Sequence, residues 1–239
     1  MRVIGVSLAA ASLALASGWA AAQTGSGIKT APAWYAGLGA GVGVANFKTG
    51  DFDVASMGNN AGAAGAPFTS TANTERTSFS GKAFVGYRFN QFWGLELSYT
   101  QFGKFEYDST IYQGATPYGS ADFTYKVQAT SLSAVLRYPF PNAFFVQGRL
   151  GATGTRTQTD SNGSAVGLVT SRTEEKWRTN LLVGAGVGYD FPGGLTLVAE
   201  YEYYGTVGDP SGFNLTDGWS GGTGRADVGL WSASAILRF

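Results

Sequence analysis

The chain of 239 residues contains no cysteine and no histidine. Without cysteine, neither a disulfide nor a thiolate metal site can hold the fold. Without histidine, the commonest general base and the commonest metal ligand are missing, and Ser-His-Asp hydrolysis cannot occur within this chain. The sequence therefore predicts a protein that is not an enzyme and that uses no cofactor and no metal.

Charged residues are also scarce, since they make up 13% of the chain, about half of the usual share in globular proteins. The formal net charge is zero. Nucleic-acid recognition needs clustered positive charge, so no nucleic-acid partner is expected. Glycine and aromatic residues are abundant instead, with 36 glycines and an aromatic share of 14%.

The first 22 residues have the layout of a secretory signal peptide. Arg2 precedes an apolar run over residues 3–16, and three alanines at 20–22 precede Gln23. A transmembrane anchor is the alternative, but the run is shorter than the ~20 apolar residues that a bilayer needs. We expect 1–22 to be a signal peptide, 23–33 an N-terminal segment and 34–239 the folded domain.

The remaining chain alternates between apolar and small or polar residues in eight segments. In the first segment Trp34, Leu38 and Val42 share one face, while glycines dominate the other. A strict period of two predicts β-strands, and each segment has about the length that crosses a bilayer as a tilted strand. The segments begin near Trp34, Thr77, Phe92, Tyr125, Ala143, Thr179, Leu195 and Arg225.

The gaps between these segments alternate in length. The tight gaps are Asn90–Gln91, Phe140–Asn142 and Pro192–Gly194, and the long gaps are Asn46–Arg76, Gly103–Asp122, Gln158–Lys176 and Gly205–Gly224. An even strand count with alternating gaps and a secretory signal is typical of an outer-membrane β-barrel of a Gram-negative bacterium. We predict an all-β, eight-stranded, antiparallel up-and-down transmembrane barrel with short periplasmic turns, four long extracellular loops and membrane lipids and lipopolysaccharide as partners. Closure is expected because an open edge cannot lie in hydrocarbon.

Aromatic residues support the membrane interpretation. Those that flank the tight gaps on the apolar face are Tyr87, Phe89, Trp93, Tyr138, Phe144, Tyr189 and Phe239. Such a belt predicts a girdle at one membrane interface. The alternative is a soluble sandwich or a lipocalin-like barrel, whose second face would have to be polar enough for water. Here that face is often glycine and carries few charges.

The sequence "GAGVG" occurs twice, at Gly39–Gly43 and Gly184–Gly188. A dinucleotide-binding loop would require a helix to follow, whereas both copies continue as alternating segments. The favoured account is steric, because inward glycines in a small barrel leave room for long side chains of neighbouring strands.

Four inward charges form the most specific internal feature, namely Lys82, Glu96, Arg149 and Glu200. Counted from the tight turns, they reach a similar depth in the middle of the predicted barrel. Paired charges are tolerable in a narrow interior, whereas isolated ones are costly. We expect an ion-paired plug. A gate or ion path, or catalysis by the two glutamates, are the alternatives.

Several segments resemble the OmpA-type transmembrane barrel family, which includes the small opacity-type surface antigens. "WYAGLGAG", "GKAFVGYRFNQFWGLELSYTQFG", "LSAVLRYPF" and "VAEYEYY" are similar to its first, second, fourth and seventh strand regions, with Glu96 and Glu200 as the inward acids. The family's inward lysine on strand four is matched here by Val135. The resemblance therefore implies a rearranged interior, in which Lys82 or Arg149 could supply the missing positive charge and Arg225 is a further basic candidate at the upper end.

The closing segment "SASAILRF" resembles the signal by which such barrels are recognised for insertion, with Ala235, Leu237 and Phe239 as its apolar positions. The resemblance therefore implies the barrel-assembly machinery and periplasmic chaperones as partners. It also implies a non-enzymatic surface protein that stabilises the membrane and displays loops for adhesion or contact with host surface molecules. The alternative is a porin-like protein, meaning a narrow pore or a transporter of small or apolar molecules.

Overall fold

A computed structural model describes residues 32–52, 67–165, 168–210 and 223–239. The predicted signal peptide lies outside the described residues and stays a prediction, as does most of the segment 23–33. Among the described residues, no helix has the length and apolar character that crossing a bilayer requires. Apart from one 3-10 turn at Thr49–Asp51, the regular structure that is described consists of β-strands.

Nine strands follow one another along the chain. They are β1 (Ala33–Phe47), β2 (Phe68–Glu75), β3 (Thr77–Arg88), β4 (Trp93–Gln113), β5 (Thr116–Pro139), β6 (Phe144–Ala165), β7 (Leu168–Asp190), β8 (Leu195–Asp209) and β9 (Gly224–Arg238). Only Arg76 separates β2 from β3, and both strands pair with β4, with Glu75 opposite Glu106 and Gly81 opposite Gln101. They therefore form one interrupted barrel strand, which makes eight strands in all.

The eight strands close into a ring. Strand β1 pairs with β3 on one side and with β9 on the other, and consecutive antiparallel pairs connect β3 to β9 through the strands between them. The β1–β9 ladder runs from Tyr35 opposite Arg238 to Phe47 opposite Ala226. The prediction of an eight-stranded, closed antiparallel barrel is thus confirmed.

The outer face of the barrel is apolar from the tight turns to a level near Thr130 on β5. Its exposed side chains include Leu38, Val42, Leu97, Leu132, Leu136, Leu150, Leu181, Val187 and Trp231. Aromatic rings contact one another at the tight-turn end, where Phe89 stacks on Trp93 with centroids 4.2 Å apart and Phe144 meets Tyr189 edge-on at 4.8 Å. Such a band with an aromatic border fits a lipid environment.

Above this band the polarity of the two faces is inverted. In the lower part of β5, the apolar Leu132 points outward and the polar Ser131 points inward. In the upper part of the same strand, the aromatic Tyr125 is fully buried in the lumen and Lys126 is half-buried on the outer face. The inward side chains there pack into an aromatic core, which includes Phe47, Phe52, Phe102, Phe105, Tyr107, Phe123 and Tyr204. This upper part therefore has the pattern of a water-exposed barrel.

The predicted loop limits at Gly103–Asp122 and Gln158–Lys176 are wrong, because these stretches are mostly strand. β4 and β5 continue to a tight turn in which Gly114 has a φ of 63°, a conformation that favours glycine. β6 and β7 pair up to Ala165 and Leu168. Parts of the predicted loops Asn46–Arg76 and Gly205–Gly224 lie outside the described residues.

Side chains fill the lumen in layers that recur along each strand. On β8, for example, Thr196 lies at the tight-turn end, Val198 follows, then Glu200 and Glu202, and finally Tyr204. Val198 belongs to a small apolar layer with Tyr35, Phe84, Phe145 and Ile236. The charged residues thus lie between this apolar layer and the aromatic core.

Candidate functional site

The middle of the lumen holds a buried charge cluster made by Lys82 of β3, Glu96 of β4, Arg149 of β6 and Glu200 and Glu202 of β8. Lys82 Nζ donates to Glu200 Oε1 at 3.0 Å and to both carboxylate oxygens of Glu202 at 2.9 Å. The Lys82 ammonium also lies 3.7 Å from Glu96 Oε1. One lysine therefore contacts all three acids.

Arg149 contacts the same three carboxylates from the opposite wall. Its Nη1 donates to Glu96, its Nη2 lies 3.2 Å from Glu200 Oε2, and its Nε lies 3.0 Å from Glu202 Oε1. The planar guanidinium presents donors in a fixed fork, so one arginine can join acids from two strands. Ser133 accepts a further hydrogen bond from Nη1 at 3.2 Å.

Neutral donors surround the acids on the remaining sides. Tyr35 donates to Glu96 Oε2 at 3.2 Å, Gln147 Nε2 to Glu200 Oε2 at 2.9 Å, and Tyr204 to Glu202 Oε2 at 3.1 Å. Three carboxylates face two cations, so a formal charge of −1 is spread over these hydrogen bonds. Charge-assisted hydrogen bonds of this kind offset part of the cost of burying a charge.

Glycines on β7 make room for the cluster. A Cβ atom on Gly186 would lie 2.6 Å from Glu200 Cβ, and one on Gly184 would lie 3.1 Å from Glu202 Cγ. Both glycines belong to the second "GAGVG" copy, which lies within a strand, as the first copy does on β1. This geometry fits the steric account and not a phosphate-binding loop, which needs a helix to follow.

The structure brings Lys82, Glu96, Arg149 and Glu200 together. Glu202 joins these four side chains, although it is not among the predicted inward charges. Its alternation with Glu200 was the signal, since residues two apart on a strand share a face. Val135, at the position of the family's inward lysine, is buried and brings no charge into the lumen. Arg225 lies outside the charge cluster and forms an ion pair with Asp51 at the extracellular end, with Nε 2.7 Å from Oδ2.

A second polar layer lies in the lumen at the tight-turn end. Arg137 of β5 and Arg238 of β9 both donate to Asp190 of β7, and Thr196 donates to Asp190 Oδ1 at 2.7 Å. The Arg137 guanidinium also lies 3.4 Å from the centroid of the Phe145 ring. Arg88, at the end of β3, faces the Tyr35 ring at 5.6 Å.

The predicted insertion positions lie on the closing strand. Ala235 pairs with Leu38 of β1 and Leu197 of β8, and Leu237 pairs with Ala36 and Leu195. The Phe239 amide donates to the Trp34 carbonyl at 3.0 Å, and the Phe239 ring is exposed on the outer face. The role of these residues in insertion stays a prediction.

Ion pairs above the apolar band lie on the outer face of the barrel. Partial burial tends to raise the pKa of Asp160, but hydrogen bonds from Lys126, Gln158 and Thr173 outweigh it and hold that pKa below its ordinary value. Asp227, with donors from Lys48 and Thr206, has its pKa lowered in the same way. Within the described part of the chain, no group of three or more acidic side chains is placed to hold a metal ion.

The comparison with known families decides the identity of this barrel. The family model of the OmpA-like transmembrane domain matches residues 29–232. The chain belongs to the OmpA-like transmembrane domain family. This OmpA-like barrel is accordingly a multi-pass protein of the Gram-negative outer membrane, with the short turns after β3, β5 and β7 at the periplasmic end and the β4–β5 and β6–β7 hairpins extending at the extracellular end.

The chain is also similar to curated outer-membrane proteins and to solved structures. Outer membrane protein A of Yersinia pseudotuberculosis is 28% identical over 166 residues, which are 70% of this chain and 41% of that protein. The OmpA-like barrel thus spans about two fifths of that curated relative. Neisserial surface protein A has a TM-score of 0.43 at 18% identity, covering 86% of this chain and 97% of that one. OprG of Pseudomonas aeruginosa has a TM-score of 0.47 at 13% identity, covering 89% and 99%.

Proposed function

We propose that this OmpA-like barrel is a non-enzymatic surface protein, a filled scaffold that stabilises the outer membrane and presents extracellular sheet for adhesion or host contact. The observation that carries this proposal is the filled lumen. A charge cluster is held between an apolar layer and an aromatic core. An eight-stranded barrel is just wide enough for side chains to fill it, so a filled interior fits a scaffold better than a pore.

The extracellular part supports the display role. β4 to β7 continue beyond the lipid band as paired sheet up to Gln113–Thr116 and Ala165–Leu168. The aromatic core braces this sheet from the inside, so outward side chains such as Asp108 are held on a rigid surface. Binding sites on rigid elements lose less entropy on association than sites on mobile loops.

Planar-bilayer conductance of the purified protein tests the scaffold. We expect no steady channels from the wild type, because the charge cluster blocks the middle of the lumen. Steady openings of a defined size that change in Glu96→Ala would contradict a filled scaffold and favour a gated pore. Glu106→Ala, which changes an acid on the extracellular outer face, is the matched control.

Adhesion tests the display role separately. A non-adherent Gram-negative host that expresses the protein should bind immobilised host-surface material more than the same host with an empty vector. Shortening the β4–β5 hairpin by replacing Tyr112–Tyr118 with a two-residue turn should reduce this binding without reducing the amount of folded barrel. Equal adhesion by the hosts with the wild-type protein, the shortened hairpin and the empty vector would exclude adhesion and host contact from the proposed function.

A lateral route for small apolar molecules is the second candidate, and one observation favours it. The β7–β8 ladder stops at Val183 and Tyr203, although both strands continue to pair with their other neighbours. Side chains bridge the resulting seam, with Arg178 Nη1 donating to the Gly208 carbonyl at 3.3 Å. Vesicles that take up an apolar fluorophore no faster with the protein than without it would exclude this route.

We further propose that the barrel-assembly machinery recognises β9, the strand that closes the barrel. Phe239 and Phe89 are matched girdle phenylalanines, with 42% and 38% of their surface exposed. If Phe239 acts in recognition as well as in lipid contact, Phe239→Ala should lower the outer-membrane yield clearly more than Phe89→Ala. Equal yields would reject the recognition role and leave the strand assignment intact.

A further inference from the structure

Four charged side chains form a ring in the periplasmic mouth of the lumen. Arg88, Arg137, Asp190 and Arg238 lie at the periplasmic ends of β3, β5, β7 and β9, one on every second strand of the barrel. We call these four residues the mouth ring. Three guanidinium groups face one carboxylate, so the ring carries two positive charges in excess.

The Asp190 carboxylate is already engaged by two arginines of the ring and by a threonine. Arg137 donates to its Oδ2, and both Arg238 and Thr196 donate to its Oδ1. The side chain of Arg88 forms no hydrogen bond and no ion pair with any residue that the structure describes, although only 9% of Arg88 is exposed. The Arg88 guanidinium lies over the Tyr35 ring, 5.6 Å from its centroid.

A second donor in the ring is also unused. Arg137 Nε is buried without a hydrogen-bond partner, since the contact with Asp190 uses Nη2. Arg137 and Arg238 both act on Arg88 through charge repulsion, and Asp190 offsets this repulsion only in part. A buried charge without a partner is costly, and three like charges in one mouth add to that cost.

The charge cluster in the middle of the lumen shows how this barrel satisfies its buried cations elsewhere. Lys82 and Arg149 each contact three carboxylates there. The mouth ring has the opposite balance, with unused donors on Arg88 and Arg137 at the periplasmic end of the barrel. Guanidinium groups match the geometry of oxyanions, and an excess of two charges matches a dianion.

We propose that the mouth ring binds a small dianionic oxyanion of the phosphate class, with Arg88 as its principal contact and Arg137 as the second. The apolar layer that includes Tyr35 and Phe145 closes the lumen directly behind the ring, so the anion binds in the mouth and does not pass on. The ring lies inside the barrel wall, which favours an anion from the periplasmic water over a lipid headgroup.

Calorimetric titration with inorganic phosphate tests this site. The protein is kept in an uncharged alkyl maltoside detergent, and sodium chloride holds the ionic strength constant. We expect saturable binding at one site. Because a hydrogen bond to a charged group contributes about 1.5–3 kcal/mol, Arg88→Gln should weaken phosphate binding about tenfold or more. Arg156→Gln makes the same chemical change at the extracellular outer face and should leave it unchanged.

Three results would overturn the site. They are no saturable binding by the wild type, unchanged binding by folded Arg88→Gln, and equal weakening by Arg156→Gln. Circular dichroism and the heat-dependent gel shift of a folded barrel establish that each variant is folded. In nanodiscs, competition of phosphatidic acid with phosphate would show that the anion comes from the lipid. Phosphate binding that is unaffected by that lipid supports the aqueous source.

Discussion

Two halves of one barrel wall follow opposite polarity rules. In the membrane half, leucines such as Leu132 face lipid while Ser131 and the charge cluster face the lumen. In the extracellular half, Phe123 and Tyr125 face the lumen while Lys126 faces water. The β5–β6 ladder runs without a break across the boundary, so the same pair of strands carries both patterns. The difference teaches that the solvent outside the wall, and not the sheet, decides which face is apolar.

The two halves are consequently stabilised by different forces. Burial of aromatic surface from water stabilises the extracellular half in proportion to its apolar area. The membrane half gains nothing comparable, because lipid is as apolar as a leucine side chain. There the lumen depends on hydrogen bonds and ion pairs, such as those that Lys82 and Arg149 make with the three glutamates.

The largest effect should come from removing a cation of the charge cluster. Arg149→Met leaves three buried carboxylates with Lys82 alone, and should lower the free energy of unfolding by about 3–5 kcal/mol. Urea unfolding in lipid vesicles measures this change. Arg156→Met is the matched control, since it makes the same chemical change at an ion pair on the outer face of the barrel, and it should have a much smaller effect.

The second effect is a cavity in the extracellular core. Phe123 is fully buried and meets Phe52 with ring centroids 5.6 Å apart. Phe123→Ala should lower the free energy of unfolding by about 3–4 kcal/mol, measured in the same vesicles. The neighbouring Thr124→Ala, on the outer face, should change it by less than about 0.5 kcal/mol. Similar values for both variants would mean that this half has no packed core.

The same substitution at two heights tests where the boundary lies. Ala134→Lys places a charge in the middle of the lipid band, where it should cost about 2–4 kcal/mol. Gln128→Lys lies six residues away on the same face of β5, above the band, and should cost about 0–1 kcal/mol. Equal costs in vesicle unfolding would contradict the boundary near Thr130.

The smallest effect is a pH dependence of the β6–β7 hairpin. The pKa of Asp160 is lower in the folded state than its ordinary value of 3.8. The stabilisation by Lys126 and Thr173 is therefore complete above pH 3.8 and is lost as the pH falls through the lower, folded-state pKa. The protection of the hairpin amides against exchange, taken relative to the unfolded chain at the same pH, should fall in that acidic range, and Asp160→Asn should remove the dependence. A pH-independent exchange equilibrium in the wild type would contradict it.

The alternation of the membrane half could be predicted from sequence, because lipid on one side and small residues on the other give a strict period of two. The extracellular parts of the strands were missed because the apolar residues change from the outward to the inward positions at Thr130. In the sequence, this change of alternation by one residue resembles the end of a strand. Counting from the tight turns placed Lys82 and Arg149 at one depth, because all strands share one tilt. The mouth ring was missed because Arg238 comes next to Arg88 only when β1 pairs with β9 and closes the barrel.

The ladder between β1 and β9 has a consequence for how the protein folds. Its 13 residue pairs join positions that lie about 200 residues apart in the chain. Such contacts have high contact order, so they form late and carry a large loop-closure entropy. Until they form, β1 and β9 each carry a row of unpaired amides, which hydrocarbon cannot solvate. Closure of the barrel and its insertion into the membrane must therefore occur together. A half-inserted open sheet is a high-energy state and not a populated folding intermediate.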